Sequence, residues 1–112
     1  MVSRQFDPAL NLETVDFNYI LYGDTFFPHR DCAKGERDVT ALIYFNRAWK
    51  SHWGGETIYY NDQGDAVVAI SPRPGRVVLF EGTIEHRVTA PNRCCYEARL
   101  SLALKYGVSG KK

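Results

Sequence analysis

The sequence predicts an all-β domain, a double-sheet jelly roll of about eight short antiparallel strands with minimal helical decoration. Three observations carry that expectation. Segments rich in β-branched and aromatic residues recur along the whole chain. Turn residues separate them at Gly23-Asp24, Gly35, Gly54-Gly55, Asp62-Gln63-Gly64-Asp65 and Pro72-Arg73-Pro74-Gly75. Only the first dozen residues and Arg47–Ser51 leave room for a helical turn.

In order, the first predicted strand is Val15–Tyr22, with Val15, Phe17, Tyr19 and Ile20. Thr25–Asp31 follows the Gly23-Asp24 turn and carries Phe26 and Phe27. In Asp38–Asn46, Thr40, Leu42 and Tyr44 fall on one face and Val39, Ala41, Ile43 and Phe45 on the other, so both faces need cover. Glu56–Tyr60 and Ala66–Ile70 flank a polar turn, and Arg76–Phe80 follows the proline-glycine turn. His86–Thr89 is short. Tyr96–Tyr106 alternates Arg99, Ser101 and Ala103 with Leu100, Leu102 and Leu104.

Composition narrows the function classes. At 112 residues the chain is expected to be one domain, 1–112, long enough to bury about two-thirds of its unfolded surface around a single core. A hydrophobic share of 45% and a net charge of +1 fit a packed globule and argue against a nucleic-acid or membrane-surface binder, because no basic stripe stands out. Arg73, Arg76, Arg87 and Arg93 are expected in solvated loops. No apolar run reaches the length of a membrane span and the start has no apolar signal region, so a cytoplasmic location is the expectation. Three cysteines, with Cys94 and Cys95 adjacent, suit reduced thiols better than a disulfide framework.

The chemistry concentrates in His29-Arg30-Asp31 and His86. Side chains alternate on a strand, so an H-x-D triplet places imidazole and carboxylate on one face. His86 is the best third ligand from a distant strand. Two histidines and one carboxylate leave open positions of the kind used by non-haem Fe(II) oxygenases, and the same set can hold zinc with a water. An H-x-D triplet alone is common, and ordinary surface histidines are the plain alternative. Cys32 abuts Asp31, and alternation would turn it away from a metal.

Arg99 admits two readings. If Leu100, Leu102 and Leu104 face the interior, it is a surface charge. If it faces inward, a buried guanidinium requires an anion, and no acidic residue is obviously placed to serve. A bound dicarboxylate would do so.

These residues carry a resemblance. The chain resembles the Fe(II)- and 2-oxoglutarate-dependent dioxygenases, in their prolyl 4-hydroxylase-like branch, from Tyr19 to Tyr106. Tyr22-Gly23-Asp24-Thr25-Phe26-Phe27-Pro28-His29-Arg30-Asp31 is similar to the glycine turn before the H-x-D motif. Ile43-Tyr44-Phe45-Asn46-Arg47-Ala48-Trp49 is similar to a Y-L-N-x-x-W segment and Trp53-Gly54-Gly55-Glu56-Thr57 to a G-G-E strand. Ile70–Phe80, His86–Pro91 and Arg99–Leu102 match, in order, the proline-glycine hairpin, the last ligand and the co-substrate strand. The resemblance implies a double-stranded β-helix, with His29, Asp31 and His86 as the Fe(II) ligands and catalytic centre. It implies that Arg99 pairs with the C5 carboxylate of 2-oxoglutarate, that Tyr44 hydrogen-bonds the same group and that Ser101 assists. Dioxygen is the oxidant, ascorbate a supporting reductant, and succinate and CO₂ the by-products. Asp31 stands where halogenating relatives leave room for chloride, which favours hydroxylation.

The chain also departs from the family. Only about fifteen residues precede the first core strand, where relatives usually carry helices, and the loop from His86 to Arg99 is long. That loop makes Arg93 the fallback anion anchor. His52 has no matching motif and reads as a loop residue. The expected substrate is a peptide, protein or small molecule, with a prolyl residue the first guess, under the short loop Cys32–Arg37. A cupin-like metal or zinc protein without keto-acid chemistry is the alternative, and an inactive assembly module a third. Ile43, Phe45, Leu100, Leu102 and Leu104 are expected on the face opposite the site, covered in a homodimer unless Ala9–Leu12 and the segment around Trp49 fold over them.

Overall fold

A computed structural model describes residues 10–33 and 37–108. They form seven strands: β1 (Leu10–Ile20), β2 (Val39–Tyr44), β3 (Thr57–Tyr60), β4 (Ala66–Ile70), β5 (Val77–Glu81), β6 (His86–Val88) and β7 (Arg99–Val108), with one 3₁₀ turn at Ser51–Trp53. Two antiparallel sheets result, ordered β1-β7-β2-β5 and β4-β3-β6, the two layers of a jelly roll. The turn at Gly35 and the first nine residues, where a helical turn is expected, lie outside the described residues. Among the described residues no helix is long and apolar enough to cross a membrane.

The segment Thr25–Asp31 is not a strand. It touches the sheet through one bridge, His29 to His86, alongside a β6 only three residues long. β7 begins at Arg99 rather than Tyr96, which stands almost fully in solvent. β1 begins earlier than expected, at Leu10, so Leu10–Leu12 extends the sheet edge instead of folding over a face. Arg76 and Arg87 are half-buried, donating to the Ser71 carbonyl and the Tyr60 hydroxyl, whereas Arg73 and Arg93 are exposed as expected.

The register sets what faces inward. On β2 and β7, Tyr44 lies opposite Ser101, Leu42 opposite Ala103 and Thr40 opposite Lys105. Leu42, Tyr44, Tyr59, Phe80 and Ala103 form the buried cluster between the sheets, with the Tyr59 and Phe80 rings packed edge to face at 5.0 Å. Arg99 and Ser101 therefore face the interior, and the leucines of β7 face out. The outer face of the larger sheet carries half-buried Ile43, Leu100, Leu102 and Leu104 beside exposed Phe45, Val15, Phe17 and Tyr19. Phe17 and Phe45 rings lie 5.7 Å apart across it.

Candidate active site

Between the two sheets, the backbone brings the H-x-D triplet to the edge of the smaller sheet. His29 and His86 bond reciprocally there, and the Asp31 and Cys32 amides both donate to the Gly82 carbonyl at 2.8 and 3.1 Å. Gly82 eases that approach, since a Cβ would stand 3.0 Å from Cys32 Sγ and 3.3 Å from Asp31 Cβ and push both aside by a few tenths of an ångström. His29 and Asp31 thus converge although the segment is not a strand. The turn upstream closes with Asp24 N–H donating to the Leu21 carbonyl and Gly23 at φ +97°.

One ligand atom from each of His29, Asp31 and His86 lies within 4.8 Å of the others. Asp31 Oδ1 is 3.5 Å from Nε2 of both histidines. Each imidazole donates its Nδ1–H to a carbonyl, His29 to Phe27 at 3.3 Å and His86 to Ile84 at 2.9 Å. That fixes the tautomer and aims the Nε2 lone pairs inward. Thr40 donates to Asp31 Oδ2 at 2.6 Å, leaving Oδ1 for a metal. Burial among Tyr59 and Phe80 holds His86 below the ordinary imidazole range, against the pull of the Ile84 carbonyl and Asp31. His86 is therefore kept neutral, as a ligand must be. The donor set fits a divalent ion with positions left open.

The second feature is a buried cation whose hydrogen bonds go to neutral groups, with Glu56 acting on it only through space. Arg99 has no exposed surface. Its Nε donates to the Gly55 carbonyl at 2.6 Å and its Nη2 to Thr57 Oγ1 at 2.8 Å. Nη1 has no partner, and neither does the buried Tyr59 hydroxyl. Desolvation draws the guanidinium below its ordinary value, opposed chiefly by Tyr44 and Tyr59, and it pushes both tyrosines up, Tyr59 most. Gly55 sits at φ +77°, and a Cβ there would lie 2.9 Å from Trp49 Cζ2 and 3.3 Å from Arg99 Cδ. Unsatisfied buried donors are costly, roughly 1–3 kcal/mol each and more when charged, so two of them in one electrostatically coupled cluster fit an acceptor such as a carboxylate.

Tyr44 is fully buried, with its hydroxyl 2.7 Å from Thr57 Oγ1 and the Arg99 Cζ 5.1 Å from its ring centre. Ser101 is buried on the same row as Arg99 and accepts from Asn18 Nδ2 at 3.4 Å. His52 and Arg93 are exposed, and neither is among the residues that bring the metal donors or the Arg99 contacts together. No cysteine is in a disulfide; Cys32 is half-buried, Cys94 exposed and Cys95 buried. Thr40, Thr57 and Tyr59 stand out only in three dimensions, although inward alternation of Gly55, Thr57 and Tyr59 is readable in the β3 sequence once one of them is placed.

The model of the 2OG-Fe(II) oxygenase superfamily matches residues 17–106. The chain is similar to the crystal structure of a prolyl-4-hydroxylase from Pseudomonas putida, with a TM-score of 0.73 and 26% identity over 90% of this chain and 55% of that one. Against prolyl 4-hydroxylase from Phytophthora capsici the values are 0.72 and 27%, over 96% and 38%. An oxidoreductase of the 2OG-Fe(II) oxygenase family from Burkholderia pseudomallei shares the fold, with a TM-score of 0.75 at 22% identity over 95% and 49%. The chain thus spans 38–55% of the length of these structures. No curated protein matches it.

Proposed function

Because the chain belongs to the 2OG-Fe(II) oxygenase superfamily, we propose that it hydroxylates an unactivated C–H bond, converting substrate, 2-oxoglutarate and O₂ to hydroxylated substrate, succinate and CO₂. The observation that carries this reading is the buried Arg99 whose Nη1 lacks an acceptor beside a His-Asp-His donor set. Bound iron and 2-oxoglutarate supply the oxidising chemistry. The chain supplies the rest. His29, Asp31 and His86 hold the metal, with Thr40 keeping Asp31 Oδ1 turned toward it. Arg99 pairs with the distal carboxylate of the co-substrate, and Tyr44 and Tyr59 offer hydroxyls beside it. Ser101 lines the same row. The aromatic wall of Tyr59 and Phe80 excludes water.

A prolyl ring is the first substrate to test, because the relatives from Pseudomonas putida and Phytophthora capsici are prolyl 4-hydroxylases. Succinate release is measured with iron, ascorbate, 2-oxoglutarate and a panel of proline-containing peptides, proteins and free amino acids. Stimulation by one of them that requires iron and oxygen supports the reading; a protein that neither binds 2-oxoglutarate nor releases succinate overturns it.

We propose in addition that a second copy covers the outer face of the larger sheet. The support is the exposed row Val15, Phe17 and Tyr19 beside Phe45. Four strands at about 4.8 Å spacing give on the order of 500 Å² per copy, which puts a two-fold pair near the roughly 1,000 Å² that a stable interface needs.

A further inference from the structure

One cation at the mouth of the metal cleft serves neither the metal nor the distal carboxylate of the co-substrate. Lys105 is six residues beyond Arg99 on β7, so it shares the inward row of that strand. Its Nζ lies 3.8 Å from Asp31 Oδ1 and 3.6 Å from Asp16 Oδ2. Among the described residues lining this cleft of about 420 Å³, Lys105 is the one lysine or arginine, and Asp16 is the one carboxylate besides Asp31. The remaining wall includes apolar Ile20, Phe26, Leu42 and Val88.

Two consequences follow when a divalent ion occupies the His-Asp-His site. The ion takes over the charge of Asp31, and Lys105 loses that partner. What remains is the pair with Asp16, whose side chains are 36% and 53% exposed. A solvent-exposed pair of this kind contributes little to stability, so a ligand bearing the same two charges displaces it at little cost. A carboxylate would meet Lys105 and an ammonium would meet Asp16, a few ångströms apart, with the side chain between them directed along the apolar wall toward the metal.

We propose that the primary substrate is a free α-amino or imino acid with an apolar side chain, held as a zwitterion with its carboxylate on Lys105 and its ammonium on Asp16. This rests on reading the cleft as a 2-oxoglutarate-dependent hydroxylase and specifies how the oxidised carbon is presented. A residue inside a peptide carries neither charge and leaves Lys105 and Asp16 paired with each other. Discrimination between a free acid and a chain residue therefore resides in these two side chains, which are specificity-determining residues.

The test is calorimetric and needs no turnover. Protein loaded with Fe(II) and 2-oxoglutarate under exclusion of oxygen is titrated with proline, valine, leucine, isoleucine and phenylalanine, each as the free L-acid, the amide and the N-acetyl acid, and with an internal prolyl tripeptide blocked at both ends. At least one free acid is expected to bind ten times or more tightly than its amide and its N-acetyl form. Lys105→Met should lower binding of that acid about tenfold and leave the amide unchanged, with Lys105→Arg retaining most of it. Asp16→Asn should do the same and leave the N-acetyl form unchanged. Equal binding of all three forms, binding of the blocked tripeptide alone, or binding of none of the probes overturns the proposal. Loss of 2-oxoglutarate binding in the preceding titration of the iron-loaded wild type is a separate readout, and it strikes the hydroxylase reading instead.

Discussion

His29 and His86 exchange both of their backbone hydrogen bonds, each N–H donating to the other's carbonyl at 2.9 Å. Fifty-seven positions apart in sequence, they are locked as a cross-strand pair before any metal arrives, and their rings lie 4.4 Å apart. Much of the entropy of assembling a metal site is thus met by folding.

Replacing His29, Asp31 or His86 with alanine is expected to abolish keto-acid decarboxylation. The three should differ in stability. His29 has a 52% exposed side chain and His86 a 6% exposed one, so His86→Ala opens a cavity against Tyr59 and Phe80 worth about 2 kcal/mol or more, whereas His29→Ala costs little. Iron binding and urea denaturation measure both. Near-normal turnover in any variant removes that residue from the metal set.

Thr40→Val frees Asp31 Oδ2 and is expected to weaken metal binding by about 10- to 100-fold. Thr40→Ser should restore most of it, because the hydroxyl is kept. Competition against a chromogenic chelator reads the difference, and equal affinity in the valine variant would show that Thr40 does not position Asp31.

Arg99→Ala is expected to weaken 2-oxoglutarate binding roughly a hundredfold, since buried charge-assisted bonds contribute about 1.5–3 kcal/mol each. Arg93→Ala should change it less than about threefold, the exposed side chain having little to lose. Tyr44→Phe should fall between. The reverse order of the two arginines in a calorimetric titration would contradict the assignment of the anchor.

The metal-free protein should lose stability in acid. The unfolded chain protonates His86 near pH 6.5, and burial holds the folded value lower. Below pH 6.5 the unfolded state therefore binds more protons, and stability falls as pH drops through the folded value, by at most about 1.4 kcal/mol per pH unit for one proton. His86→Gln should flatten this part of the Tm profile between pH 7.5 and 5. An unchanged slope in that variant assigns the acid sensitivity elsewhere.

If two copies meet through the outer sheet face, light scattering should give twice the chain mass, and Leu102→Glu or Phe17→Glu should halve it without loss of the metal site. A monomer at high concentration would exclude this arrangement.

The alternation of β7 is legible in sequence; periodicity leaves its direction open, and only the family resemblance puts Arg99 inward and the leucines on the opposite face. Leucines at 100, 102 and 104 opposite Arg99, Ser101 and Ala103 look like the core face by hydropathy alone, and the structure turns them outward. What decides the matter is the register of β7 with β2, which places Ser101 beside Tyr44 and Ala103 beside Leu42. Pairings so distant in sequence are invisible to local periodicity. The triad was legible because histidine and aspartate at alternate positions are chemically distinctive, even though the strand expected to carry them is absent. Thr40, Tyr59 and Lys105 are ordinary residue types whose meaning comes only from what lies opposite them. The expectation that Arg76 and Arg87 lie in solvated loops failed for a related reason, since long aliphatic stems let an arginine lie along apolar surface while its head finds a bond.

Gly55 gives the floor of the Arg99 pocket a permanence that the mouth lacks. Its carbonyl grips the guanidinium and its missing side chain leaves room for Arg99 and Trp49 at once, in a backbone conformation that other residues rarely adopt. Even alanine, the smallest step away, must displace an indole or the arginine stem. Side chains at Asp16, Phe26 and Lys105 border open cleft and can change without moving a neighbour's backbone, whereas any side chain at position 55 forces Trp49 or the Arg99 stem to move.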